Sequence, residues 1–236
     1  MLISAGINVI EMPDLQYENF VLTWSFGGNS SLFSFFGDNN GVVSSEHWIT
    51  DLSDEFSFDS NGGLSKINLS IPNENNLINI GNNNISFGKL VLSCERLHTI
   101  QPMTMRMFDP IQRQLICFNR QVSDDFSIFR LHRDFGIITS SDSYCGYVVD
   151  NPLNYLSNEI NGYVDNVNEP DDFEYNLMDC FLKVMSDNNV DKFNNDIESV
   201  VVELAGKVMP SLEFLKSNFR KSVLESTVQE LMDFYC

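Results

Sequence analysis

Residues 186–198 read SDNNVDKFNNDIE. Counted from Asp187, they place Asp187, Asn189, Asp191 and Glu198 at about the first, third, fifth and twelfth positions of a loop, where an EF-hand presents oxygen ligands to calcium. Two positions fail that template. Lys192 stands where the sharp turn requires glycine, and a cation there repels calcium. Asn194 stands where the pairing strand requires an apolar side chain. A capped helix accounts for the same residues. Asn195 serves as N-cap, Glu198 reaches back as in a capping box, and the acids suit the positive end of the helix dipole. No metal and no cofactor is therefore expected.

The other residues capable of chemistry concentrate in one segment. Arg96, Arg106, Arg113, Arg120, Arg130 and Arg133 comprise all but one of the arginines, with His98, His132, Asp109, Asp124, Asp125 and Asp134 nearby. Arginine forks suit carboxylates and phosphates, so this segment could hold a phosphorylated small molecule. Alternatively the guanidiniums stand on the solvent face of strands and pair with local acids. The alternation in MTMRMF favours that for Arg106. His47, His98 and His132 lack metal-ligand spacing. No nucleophile elbow, GxxxxGK[ST] or strand-linked GxGxxG occurs, and Gly27-Gly28 reads as a hairpin turn. The acid pairs Asp54-Glu55 and Asp171-Asp172 have polar neighbours and read as solvated. These features predict a protein that is not an enzyme.

The formal charge is −19, and its distribution is uneven: −8 over residues 1–90, −1 over 91–150, −9 over 151–200 and −1 over 201–236. Such a chain repels nucleic acid and anionic membrane and attracts basic partners or cations. Within the second acidic block, Glu159, Asp165, Glu169, Asp171, Asp172 and Glu174 interleave with Tyr163, Phe173 and Tyr175. Acids around aromatic anchors are the makeup of an electrostatically steered protein interface. These nine residues are the candidate partner-binding set. A solvated linker followed by one helix face is the plainer reading. Carboxylates spaced like phosphates would instead make a nucleic-acid mimic that blocks a DNA-binding defence protein.

The elements that must position these residues divide at about residue 150. Up to there the chain reads as short strands rich in β-branched and aromatic residues, bounded by Gly and Asn. They include INVIEM, FVLTWSF, SLFSFF, MTMRMF and FGIITS, and GGNS and GDNNG mark turns. FSFDSNGGLSKINLSIP (56–72) alternates on both sides of NGG and predicts a hairpin. Beyond Asp150, Pro152 opens a short helix and an acidic link follows. Apolar positions then recur at helical spacing in three groups. The first is Phe173, Leu177, Phe181, Leu182 and Met185, and the second is Val200, Val201, Leu204 and Val208. The third begins at Pro210 and carries Leu212, Leu215, Phe219, Val223, Val228 and Leu231. Strands followed by helices predict an α+β fold: an antiparallel β-rich region over 1–150, then an acidic link and a bundle of about three helices over 151–236, packed as one unit. With 43% hydrophobic residues and 19 phenylalanines the core is well supplied. The first residues carry no basic leader or long apolar run, and five scattered cysteines form no CxxC pair, so a reduced, cytoplasmic chain is expected, with Cys94 and Cys117 as small core residues.

The stretch DFSIFRLHRDFGIITSSDSYCGYVVDNPLNYL, residues 125–156, runs strand, Asp-Phe-Gly turn, Gly-aromatic strand, then Asn-Pro before a short helix. That layout resembles bacterial immunity proteins, which protect a cell from polymorphic toxins. The resemblance implies a cytoplasmic antitoxin that binds a cognate protein toxin, basic and possibly a nuclease, and occludes its active site, with no direct contact to nucleic acid or membrane.

Overall fold

A computed structural model describes residues 2–4, 6–27, 30–37, 43–44, 54–78, 84–93, 100–119, 126–141, 143–186 and 197–235. Two sheets form. The first runs in the order β1 (Leu2–Ser4), β2 (Ile7–Met12), β8 (Asn84–Leu92), β11 (Ser127–His132), β12 (Phe135–Ser140), β13 (Ser143–Asp150), β10 (Gln114–Phe118), β9 (Met105–Asp109). The second runs β14 (Leu156–Ser157), β3 (Val21–Gly27), β4 (Ser30–Phe36), β7 (Leu64–Ile71), β6 (Glu55–Phe58), β5 (Val43–Ser44). The expected hairpin over 56–72 is β6–β7, and its alternation is kept: Ile67, Leu69 and Ile71 are buried while Lys66, Asn68 and Ser70 are half-buried on the other face. Among the described residues pairing is antiparallel apart from the isolated bridge of Asn75 to Arg106 and two strand pairs that the strand pattern did not announce. β8 and β11 run parallel, and so do β3 and the short β14.

The inner faces of the sheets meet through aromatic rings. Phe33 lies 5.2 Å from Phe135, and Phe35 lies 5.0 Å from the same ring. Fully burying each such ring is worth roughly 2–3 kcal/mol. Gly146 on β13 is a required close approach, because a Cβ there would stand 2.4 Å from the Cys117 carbonyl oxygen.

The helices pack along the β9 edge of the first sheet and the β14–β3 edge of the second. A 3-10 turn (Pro152–Tyr155) precedes β14. Helix α1 (Asp172–Val184) presses Phe181 on Phe26 at 5.4 Å and Tyr175 on Phe108 at 6.1 Å. Helix α2 (Ile197–Glu203) runs through a π-helical turn, Leu204–Val208, into α3 (Met209–Leu212), and α4 (Asn218–Tyr235) is the last described element. One continuous apolar core joins strands and helices, from Ile7 and Trp24 to Leu224 and Leu231. The third apolar group is therefore split. Pro210 lies inside α3, the chain breaks over 213–217, and α4 starts only where the Ser217 hydroxyl accepts from the Arg220 N–H at 3.0 Å, an N-cap that restarts the helix. Phe173 leaves the apolar face assigned to it and is 42% exposed, and Met178 takes a core place instead. Cys117 is buried, as expected; Cys94, the calcium-like loop over 187–196, the turn residues 38–41, and Arg96, Arg120, His47, His98, Asp124 and Asp125 lie outside the described residues.

Two expectations about exposure fail. Arg106 does not stand in solvent; it is fully buried. β9 is an edge strand, and residues 74–76 run beside it: the Arg106 N–H donates to the Glu74 carbonyl and the Asn76 N–H to the Arg106 carbonyl, both at 2.8 Å. The guanidinium is thereby enclosed. Its Nε donates to Asn75 Oδ1 at 2.8 Å, its Nη1 to Asn73 Oδ1 at 3.3 Å, and its Nη2 to the carbonyls of Leu182 at 2.7 Å and Met185 at 3.2 Å. Those carbonyls end α1, where backbone acceptors lack helical partners and the dipole is negative, so a cation belongs there. Asp54 is likewise buried, not solvated. β6 begins at Glu55 opposite Asn68, which leaves the Ser70 N–H beyond the ladder. The Asp54 carboxylate accepts from it at 2.9 Å and so replaces the missing backbone partner. Glu55 is half-buried and takes Lys66 at 2.7 Å, Asn68 at 2.7 Å and Ser57 at 2.6 Å.

Candidate functional site

The acidic link folds against the corner between α3 and α4, and two buried carboxylates anchor it there. Asp171 is the N-cap of α1 and accepts from the Glu174 N–H at 3.0 Å, while Lys216 pairs with it at 2.8 Å. Both contacts favour the ionised form and hold Asp171 below the usual carboxylate range. Glu174 turns inward: Arg220 Nε donates to its Oε2 at 2.6 Å and the Lys216 N–H to its Oε1 at 3.2 Å. Arg220 Nη1 donates to the Asn168 carbonyl at 2.8 Å and stands 4.0 Å from Asp165. Asp165 accepts from the Ser217 hydroxyl, from Asn168 Nδ2 at 2.9 Å, and from the N–H groups of Val167 at 3.0 Å and Asn168 at 3.1 Å. Burial alone would raise this acid. The hydrogen bonds from Ser217, Asn168 and the backbone outweigh burial and hold it well below the ordinary range.

The nine residues singled out in the sequence therefore separate. Asp165, Glu174 and Tyr175 are buried and do not face solvent; Asp165 and Glu174 hold the link in place. Asp171 is half-buried and serves as a cap. Glu159, Tyr163, Glu169, Asp172 and Phe173 face solvent. Asp172 is partly neutralised by Arg113 at 2.9 Å, and the Arg113 guanidinium also lies over the Tyr175 ring at 5.1 Å. Burial pushes the Tyr175 phenol up to about 12, opposed by that guanidinium.

Sequence reasoning missed the other half of the surface. Tyr163 meets Phe219 edge-on at 4.9 Å, and Phe173 meets Phe214 edge-on at 6.2 Å. Phe214 is 74% exposed, Val167 83% and Tyr163 61%. Phe214 lies between Leu212 and Leu215 in sequence but about 200° around a helix from Leu212, off the face those leucines share, and the structure keeps it outward. The two aromatic pairs are carried by the two segments that the buried Asp165–Ser217–Arg220–Glu174 cluster holds together.

The arginine segment offers no open anion site among the described residues. Arg106 caps α1, Arg113 pairs with Asp172, Arg130 with Asp150 at 2.6 Å, and Arg133 lies 3.5 Å from Asp134. Asp134 also accepts from the Tyr155 hydroxyl and from Asn151 at 3.2 Å. His132 is buried, which lowers its basicity, and it lies edge-on to Phe35 at 6.1 Å. Among the described residues no group of three or more His, Cys, Asp or Glu side chains is placed to hold a metal ion, and no helix is long and apolar enough to cross a membrane. Comparison with protein family models gives no match, and neither curated proteins nor solved structures yield one.

Proposed function

We propose that the chain is an immunity-type inhibitor, a protein that binds a basic toxin domain and covers its active site. The observation that carries this reading is the solvent-facing group of Tyr163, Val167, Phe173 and Phe214, interspersed with Glu159, Glu169 and Asp172, on a backbone pinned by buried Arg220. Large rings held rigidly at a surface lose little entropy on docking, which is the property of an interface anchor. The net charge of −19 supplies attraction at a distance, while Glu159 and Glu169 supply it locally. The inhibitor acts by shape and charge and needs no chemistry of its own.

The test is capture of the partner by tagged protein from its native host, followed by binding kinetics and assay of the partner's activity. A stoichiometric basic domain whose activity the chain suppresses supports the proposal. Phe173→Ala with Phe214→Ala should then speed dissociation at least about tenfold, as for anchors worth over about 1 kcal/mol. Glu159→Lys with Glu169→Lys should slow association and flatten its salt dependence. Unchanged kinetics in both double variants would place the interface elsewhere and sink this reading.

A further inference from the structure

The first sheet ends on β9, and part of that edge has no strand beside it. Arg106 turns its backbone N–H and carbonyl away from β10, to Glu74 and Asn76. Backbone groups alternate in direction along a strand, so Phe108, opposite Leu115, turns its own N–H and carbonyl to the same open side. Neither group has a partner there among the described residues. The segment that covers Arg106 stops short. It makes one parallel bridge, Asn75 to Arg106, and the Leu77 N–H then folds back on Asn76 Oδ1 at 2.8 Å. A groove of about 400 Å³ opens at this point, between the β9 edge, residues 75–77 and the α1 residues Asp179, Leu182 and Lys183. We propose that it binds an extended peptide as an added strand, with an apolar residue opposite Phe108 and a basic residue on either side.

Sheet edges accept strands; main-chain bonds supply the affinity and flanking pockets the choice of side chain. Residues 74–76 already use the β9 edge in this way, and the peptide would take up the pair of groups they leave. The pleat then sets the side chains. A residue opposite Phe108 shares the face on which the Phe108 ring meets Tyr175 of α1. Leu77, Pro110 and Leu182 line the groove, and Leu77 is 87% exposed, so an apolar side chain gains by covering it.

The two neighbours of that residue fall on the other face, with Met107 and Asp109. Asp109 lines the groove, its Oδ1 accepts from the N–H groups of Ile111 and Gln112 at 2.8 and 2.9 Å, and no cation pairs with it among the described residues. The other lining charges are engaged: Asp179 pairs with Lys183 at 2.6 Å, and Arg106 donates to four acceptors. Asp109 is thus the carboxylate open to a ligand cation, and the net charge of −19 draws basic peptides to the chain as a whole. Nothing in this site depends on the surface around Phe173 and Phe214.

The experiment is an amide-resolved NMR titration of the full chain with the blocked peptide acetyl-Val-Lys-Leu-Lys-Val-amide to about 10 mM, a range that reaches millimolar affinities. Saturable shifts centred on Leu77, Phe108, Asp109 and Asp179 are expected. Methylating the leucine nitrogen of the peptide removes a main-chain bond and should weaken binding at least about fivefold. Replacing both of its lysines with glutamates should abolish saturation. Asp109→Asn, which keeps the oxygen that holds Ile111 and Gln112, should weaken binding about two- to fivefold. Leu77→Lys, a change at the surface that sets a cation beside the groove, should weaken it at least as much, and Ser222→Ala on α4 should leave it unchanged. Absence of saturable shifts with the lysine peptide overturns the proposal. So does equal binding of the methylated or the glutamate peptide, or binding that Asp109→Asn and Leu77→Lys both leave intact.

Discussion

Replacing Asp54 with asparagine separates the opposing ways in which protons act on this fold. Burial lifts the Asp54 carboxyl from 3.8 to about 7, against the Ser70 N–H that favours its ionised form. Its neighbours, the buried Tyr144, Tyr147 and Cys117, offer no positive charge. The folded state thus prefers the protonated acid. Its contribution is fully present below the unfolded value and is lost as pH rises through about 7. With those two values, the wild type should lose about 2–3 kcal/mol between about pH 5 and about pH 8 through this group alone. Asparagine keeps an oxygen for the Ser70 N–H and cannot ionise, so the variant should lack that loss. His132 pulls the other way, because burial keeps it neutral and stability falls as the unfolded imidazole protonates. It is common to both proteins, so the difference between them isolates Asp54. The assay is urea unfolding of both proteins at several pH values. A wild-type-minus-variant difference that does not change with pH would refute the reasoning and show that the Asp54 carboxyl is ionised in the fold throughout.

Other perturbations test the remaining contacts. Arg220→Met leaves Glu174 and Asp165 buried without their cation and should cost about 3–5 kcal/mol in denaturant unfolding, with part of the loss recovered in the double variant Arg220→Met with Glu174→Leu. Arg106→Lys should destabilise by about 2 kcal/mol or more in the same assay, since an ammonium cannot reach Asn75, Asn73 and the two α1 carbonyls at once. Below about pH 4 the wild type should lose stability in step with protonation of Asp165, Asp171 and Glu55, whose hydrogen bonds hold them below their ordinary range; the Ser217→Ala variant should unfold at a higher pH in an acid titration. Phe173→Ala with Phe214→Ala should change the thermal midpoint by only about 1–3 °C, as expected for rings at a surface.

Much of the strand content was legible because period-two alternation survives on β7, and because Asn61, Gly62 and Gly63 stand at the turn that closes β6–β7. The switch from strands to helices at Asp150 was legible for the same kind of reason, a change of apolar period. What failed were positions where a polar side chain takes over a backbone duty. Arg106 alternates with methionines as a surface residue would, yet it answers to the end of a helix far along the chain. Asp54 sits in a polar stretch, yet it replaces a missing ladder partner. Within the acidic block, Glu174 and Asp165 carry the same composition as Glu169 and Glu159; only the arrival of Arg220 from α4 divides them into buried anchors and surface charges. The exposure of Phe214 was legible, since it lies off the face that Leu212, Leu215 and Phe219 share at helical spacing; its ring contact with Phe173 was not.

The two-residue strand β14 carries a consequence for how the chain acquires its shape. It pairs Leu156 with Trp24, while β2 reaches β8 across a shorter but still long separation. Neither sheet can finish from neighbouring segments alone, so ribosomal synthesis must run well past the middle of the chain before either sheet is complete. Topologies of this kind fold slowly, on the order of milliseconds to seconds, and a nascent fragment ending near residue 150 would display unsatisfied strand edges and the rings of Phe26 and Phe108. The helices at the carboxyl end therefore act as a late seal, and truncation before them should yield aggregation instead of a smaller folded domain.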